Sequence, residues 1–224
     1  MGKEVSGKSL LIASGCSYTD QDQPFYLDND IITWPELVAA ELGVEYLNVA
    51  CGGSPNDYIC NSIIDAVLDN LDRDITVMVL WTSSNRWIPC QGPIRLWQKD
   101  WLVTYQLRCM WRLNEFCKQR NIPIYQGHST SPLASLKHIE YNTYDFDSKD
   151  CLLKNKYFSP EYFGPQNPWS NMPWMANEPY MIPGDGHPNQ KAQEWIADYF
   201  LITYQGRDFD TPLDNSNYIE FVYD

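Results

Sequence analysis

The stretch Ser9-Leu10-Leu11-Ile12-Ala13-Ser14-Gly15-Cys16-Ser17-Tyr18-Thr19-Asp20 decides how the chain is read. Leu10 to Ala13 is an apolar run long enough for one buried strand. It stops at Ser14-Gly15, a turn signal, so a strand is expected over about 8–14. In open α/β sheets, ligands bind beyond the carboxyl ends of the strands. Ser17 stands just past such an end, and its hydroxyl is a candidate reactive group. Taken alone it reads rather as the cap of a turn or helix. The far end of the chain shifts that balance. Asp185-Gly186-His187-Pro188-Asn189 offers a carboxylate and an imidazole directly before a helical pattern over about 189–204.

The rest of the chain alternates. Residues 18–32 are polar and read as a loop. Thr33-Trp34-Pro35-Glu36 opens a helix, with Thr33 as cap and proline in the first turn, and Gly43 stops it. Residues 44–50 form a second strand, and Cys51-Gly52-Gly53-Ser54-Pro55-Asn56-Asp57 is a turn cluster. Ile59, Ile63, Val67 and Leu71 recur at four-residue spacing, the buried face of a helix. Ile75–Trp81 is a nearly unbroken apolar strand, suited to a central parallel position covered on both faces. Residues 88–100 look irregular. A long helix is expected over about 101–120, with Leu102, Tyr105, Cys109, Leu113 and Phe116 inward, followed by a fourth strand over 121–126 ending before His128. Such alternation implies an α/β fold of three layers around a parallel sheet.

One domain is expected over 1–204, with an irregular aromatic-rich insertion at about 130–183 and an acidic extension at 205–224. The insertion holds Tyr157, Phe158, Tyr162, Phe163, Trp169 and Trp174, which either line a substrate groove or pack beneath the insertion; a short helix near 131–140 fits its start.

Composition narrows the function classes. With 16 Lys and Arg against 29 Asp and Glu, the net charge is −13, and a surface of that sign repels nucleic-acid phosphates and anionic membranes. The polar start and the short apolar runs imply neither a secretion signal nor a membrane span, so a soluble, cytoplasmic protein is expected. The 7 cysteines are scattered without a Cys-x-x-Cys pair, as for buried thiols in a reducing compartment. The 3 histidines have no metal-ligand spacing, so neither a metal nor a cofactor is expected.

Acyl transfer needs a hydroxyl nucleophile, an imidazole to take its proton, a carboxylate to orient the imidazole, and donors for the oxyanion. The turns supply Ser17; Gly52 and Gly53; Ser83, Ser84 and Asn85; and Asp185 with His187. Arg86 and His128 are candidate substrate contacts at neighbouring strand ends. Cys16 is a rival nucleophile, but side chains alternate at a strand's end, so Cys16 and Ser17 should not both face one cleft.

This set resembles the sequence blocks of the GDSL-type, or SGNH, hydrolases. Gly15-Cys16-Ser17-Tyr18-Thr19 resembles the first block, with Cys16 where Asp is usual. Asn48-Val49-Ala50-Cys51-Gly52-Gly53-Ser54 resembles the second, and the spacing from Asn48 favours Gly53 as its glycine. Thr82 to Asn85 stands where the third block's asparagine belongs, and Asp185 to Asn189 resembles the last. The likeness spans about 9–204, and Trp81-Thr82 with Arg86 is also similar to SGNH-like proteins of tailed bacteriophages.

The resemblance implies a flavodoxin-like α/β/α sandwich with a central parallel sheet. It implies Ser17 as nucleophile, His187 as base, Asp185 as its orienting group, and Ser17, Gly53 and Asn85 as oxyanion donors. The implied activity is ester or acyl hydrolysis on a small ester or an acetylated glycan. Two departures support a second reading. Asp185 lies two residues before His187 rather than three, and the third block's Gly-x-Asn-Asp is absent. In that reading the chain is a catalytically weak or inactive binding protein of the same fold, associated with a phage particle and meeting a protein partner through its tail.

Overall fold

A computed structural model describes residues 9–82, 97–129, 182 and 187–207, without the side chains of 97–104, 107 and 128. Four strands form one parallel sheet: β1 (Leu10–Ser14), β2 (Glu45–Asn48), β3 (Ile75–Trp81) and β4 (Ile124–His128). Their spatial order is β2-β1-β3-β4. The helices are α1 (Pro24–Leu27), α2 (Trp34–Leu42), α3 (Asn56–Leu68), α4 (Trp97–Gln119) and α5 (Gln190–Tyr204).

β1 and β3 pair with Leu10 opposite Ile75 and Ala13 opposite Met78. Side chains alternate across the sheet, so each strand feeds two cores. On one side Leu10, Ile12, Val77 and Val79 pack with Ile59, Ile63 and Val67 of α3 and Cys109, Leu113 and Cys117 of α4. On the other, Leu11, Ala13, Met78 and Leu80 pack with Trp34 and Val38 of α2 and Ile196 and Phe200 of α5. Trp34 stacks on Phe200 at 4.4 Å between ring centroids. The result is the expected three-layer α/β/α sandwich, with β1 and β3 buried on both faces. β2 is an edge strand whose residues alternate between exposed and half-buried.

The sheet order creates a switch point. From β1 the chain goes outward to β2, then returns past β1 to β3 on its other side. A crevice opens at the carboxyl ends of such neighbouring strands, the usual ligand position in this architecture. Ser17 follows β1 at that edge.

Several expected boundaries move. The polar segment 18–32 is not all loop, since Pro24–Leu27 forms one helical turn, with proline at its start and Tyr26 buried. α4 begins at Trp97 rather than near 101. β4 runs over Ile124–His128, later than 121–126, because Asn121 takes a left-handed conformation that closes α4, with its N–H bonded to Lys118 O. Beside Cys109 and Leu113, Met110 and Cys117 are buried in α4, whereas Tyr105 and Phe116 are half-buried. The readings of 83–96, of nearly all of 130–183 and of 208–224 lie outside the described residues, as does the inward placement of Leu102. Among the described residues no helix is long and apolar enough to cross a membrane.

Candidate active site

Gly15 and the residues after it set the first turn. The N–H groups of Thr19 and Asp20 both bond Cys16 O, at 2.9 and 3.1 Å. This tight coil brings Thr19 against Gly15, where any Cβ would fall on Thr19 Oγ1 and the Leu80 carbonyl. Only glycine fits there. The coil also separates its two candidate nucleophiles. Cys16 turns into the interior and is fully buried, whereas the Ser17 hydroxyl meets the histidine.

His187 Nε2 lies 3.1 Å from Ser17 Oγ. His187 precedes α5, whose start is capped by the Asn189 side chain accepting from Ala192 N–H at 3.2 Å. Its own carbonyl accepts from Ile182 N–H at 2.8 Å. Its ring is bounded by aromatics. Phe25 stacks on it with centroids 3.9 Å apart and planes at 21°, and Tyr18 meets it edge-on at 5.6 Å.

The second turn is built around Gly53. Ser54 N–H bonds Cys51 O at 3.1 Å, closing a four-residue turn whose third residue, Gly53, has φ of 77°. That is the glycine position of a type II turn. Asp20 ties this turn to the first. Its carboxylate accepts from Gly52 N–H at 2.7 Å, from Asp22 N–H at 3.1 Å and from the Gln23 amide. Asn48 adds a second tie, donating to Thr19 O at 2.7 Å and accepting from Ala50 N–H. With Gly52 N–H engaged, the amides of Ser17 and Gly53 have no acceptor among the described residues. Nearby, burial first, then the charges of Cys51 and Asp20, push the Tyr58 phenol above its ordinary range.

Two buried amides hold the frame. Gln193 of α5 is fully buried and uses every polar group. It donates to Tyr18 O at 3.1 Å and Tyr26 Oη at 2.9 Å, and accepts from Trp34 N–H at 2.9 Å. It therefore joins the helix after His187 to the turn that carries Ser17. Asn56, opening α3, brackets Thr82 at the end of β3 by accepting from its N–H at 2.9 Å and donating to its carbonyl at 3.0 Å.

The structure thus brings together Ser17, His187 and the Gly53 turn. Asp185, Asn85 and Arg86 lie outside the described residues, as does the His128 side chain, whose backbone ends β4 opposite Trp81. Sequence reading missed Asp20, Phe25, Gln193 and Asn56 as site-shaping residues. Three of these act through backbone groups, which leave no mark in a sequence, and Phe25 acts through a partner far along the chain.

No family model matches this chain, and no curated protein matches it. Solved structures share its fold. A crystal structure of TesA aligns over 88% of this chain and 98% of its own, at 12% identity and a TM-score of 0.51. The psychrotrophic esterase EstA from Pseudoalteromonas sp., inhibited by monoethylphosphonate, aligns over 89% of this chain and 97% of its own, at 14% identity and a TM-score of 0.50.

Proposed function

We propose that this protein is a metal-independent serine hydrolase of esters or acyl groups. The observation that carries the reading is the Ser17–His187 contact of 3.1 Å at the switch point of the sheet. Ser17 Oγ attacks the ester carbonyl carbon while its proton passes to His187 Nε2. The carbonyl oxygen becomes an oxyanion, received by the amides of Ser17 and Gly53, with Asn85 as the third donor by resemblance. The tetrahedral intermediate collapses to an acyl-enzyme, and the departing alkoxide takes the proton from His187. Water then repeats the sequence and releases the acid. Asp185 is assigned to hold the imidazole in its working tautomer and orientation. Small acyl esters or acetylated carbohydrates are the proposed substrates, by resemblance to the SGNH hydrolases.

A fluorophosphonate tests this directly, being of the same chemical class as the inhibitor in the EstA structure. Intact mass should show one adduct on the wild type and on Cys16→Ala, and none on Ser17→Ala. An unlabelled but folded wild type would move the chain to the second reading, a binding protein on a hydrolase fold.

A further inference from the structure

The mechanism above uses His187 through its contact with Ser17 and its orientation by Asp185, yet the imidazole is also faced by an aromatic ring. Phe25 lies 3.9 Å away and nearly parallel. It comes from α1, which is too short to be stable by itself. The helix is held instead by its surroundings. Tyr26 is buried against Gln193, Asn29 donates to Phe25 O at 2.8 Å, and Gln23 donates to Asp20. Just beyond it, Ile32 N–H bonds the side chain of Gln190, the first residue of α5, at 2.9 Å. The clip is therefore fastened at one end to the turn that carries Ser17. At the other it is fastened to the helix that follows His187.

A leucine at this place would cover the same face of the imidazole. An aromatic ring adds a negative π face, which attracts a cation lying over it. His187 gains positive charge only as Ser17 gives up its proton. An attraction that grows with that charge is stronger in the transition state than in the ground state, and so raises kcat rather than merely tightening binding.

We propose that Phe25 is a positioning residue for His187, holding the imidazole toward Ser17 and steadying the charge it acquires during attack. This inference rests on the reading of Ser17 and His187 as the reacting pair.

The test compares the wild type with Phe25→Leu and Phe25→Tyr on p-nitrophenyl acetate. Phe25→Leu should lower kcat about three- to tenfold, the range of a cation–π contact, with KM nearly unchanged. Phe25→Tyr should restore most of the loss. Replacing Phe25 by phenylalanines of increasing fluorination preserves shape and weakens the π face, and kcat should fall in that order. This series also decides the matter if the leucine variant does not fold. Unchanged kcat across the fluorinated series, or a loss in Phe25→Leu that tyrosine does not restore, would overturn the inference while leaving an active wild type and its mechanism standing. A wild type that neither turns over the ester nor takes a fluorophosphonate would overturn both.

Discussion

His187 Nε2 stands 3.1 Å from Ser17 Oγ although 170 residues of chain separate them. The contact depends on the frame between the two segments, not on either segment alone. Gln193, Asp20 and the two glycine turns are that frame, and each supports a prediction.

Replacing Gln193 by leucine keeps the volume and removes the polar groups. It removes the hydrogen bonds that Gln193 makes to Trp34 N–H, Tyr18 O and Tyr26 Oη. Urea unfolding should show a loss of about 2–4 kcal/mol, within the range for stranded buried groups. A loss below about 0.5 kcal/mol, typical of a surface change, would contradict the role given to this amide.

Asp20→Asn replaces two acceptor oxygens by one and turns an amide donor toward at least one of the three donors that the carboxylate accepts from. Stability should fall by about 1–3 kcal/mol. Turnover of p-nitrophenyl acetate should fall about 10- to 100-fold with little change in KM, less than removing an oxyanion donor outright. Unaltered kcat would mean that the Gly53 turn keeps its place without Asp20.

Gly15 and Gly53 are glycines for different reasons. Alanine at 15 meets Thr19 and the Leu80 carbonyl, and Gly15→Ala should cost about 3 kcal/mol or more, or yield no folded protein. Alanine at 53 meets nothing within 4 Å, so Gly53→Ala should cost only the strain of a left-handed residue, about 1–2 kcal/mol. Measured stabilities in the reverse order would refute the assignment.

The thiols of α4 give a pH dependence. Burial raises Cys109 and Cys117 from an ordinary 9.0 to about 12. A thiol held neutral in the folded state contributes its full stability below about pH 9 and loses it as the pH climbs toward 12. The melting temperature should therefore decline above about pH 9. The double variant Cys109→Ala, Cys117→Ala should melt lower near neutrality but decline less steeply, and an equally steep decline would exclude these thiols as its source. Burial also raises Tyr105 and Tyr125, so some alkaline decline should remain. In native protein at pH 8, iodoacetamide should modify the exposed Cys51 well before Cys16, Cys60, Cys109 or Cys117.

Much of this frame was legible in the residues. Leu10 to Ala13 and Ile75–Trp81 are apolar runs that only a doubly covered sheet can bury, and they fixed the architecture. Ser17 and His187 were legible as a pair because each adjoins a turn next to a regular element. Pro24–Leu27 was not, because a single helical turn among acidic residues has no periodicity to detect. Asp20 read as one more loop charge, since it binds mostly backbone N–H groups. Gln193 carried no signal of its own in the sequence, because a buried amide is recognisable only once its three partners surround it.

The late position of α5 in the chain governs the order of assembly during synthesis. Ile196 and Phe200 complete the core shared by Leu11, Ala13, Met78 and Leu80. A nascent chain that has emerged only through β4 has paired strands, but one face of its sheet is covered by α2 without α5. It already carries the hydroxyl of Ser17 and lacks the imidazole that meets it. Such a chain exposes that apolar face. The closing helix covers it and brings His187 to Ser17 in the same event, so under the proposed function an activated serine would report a completed core.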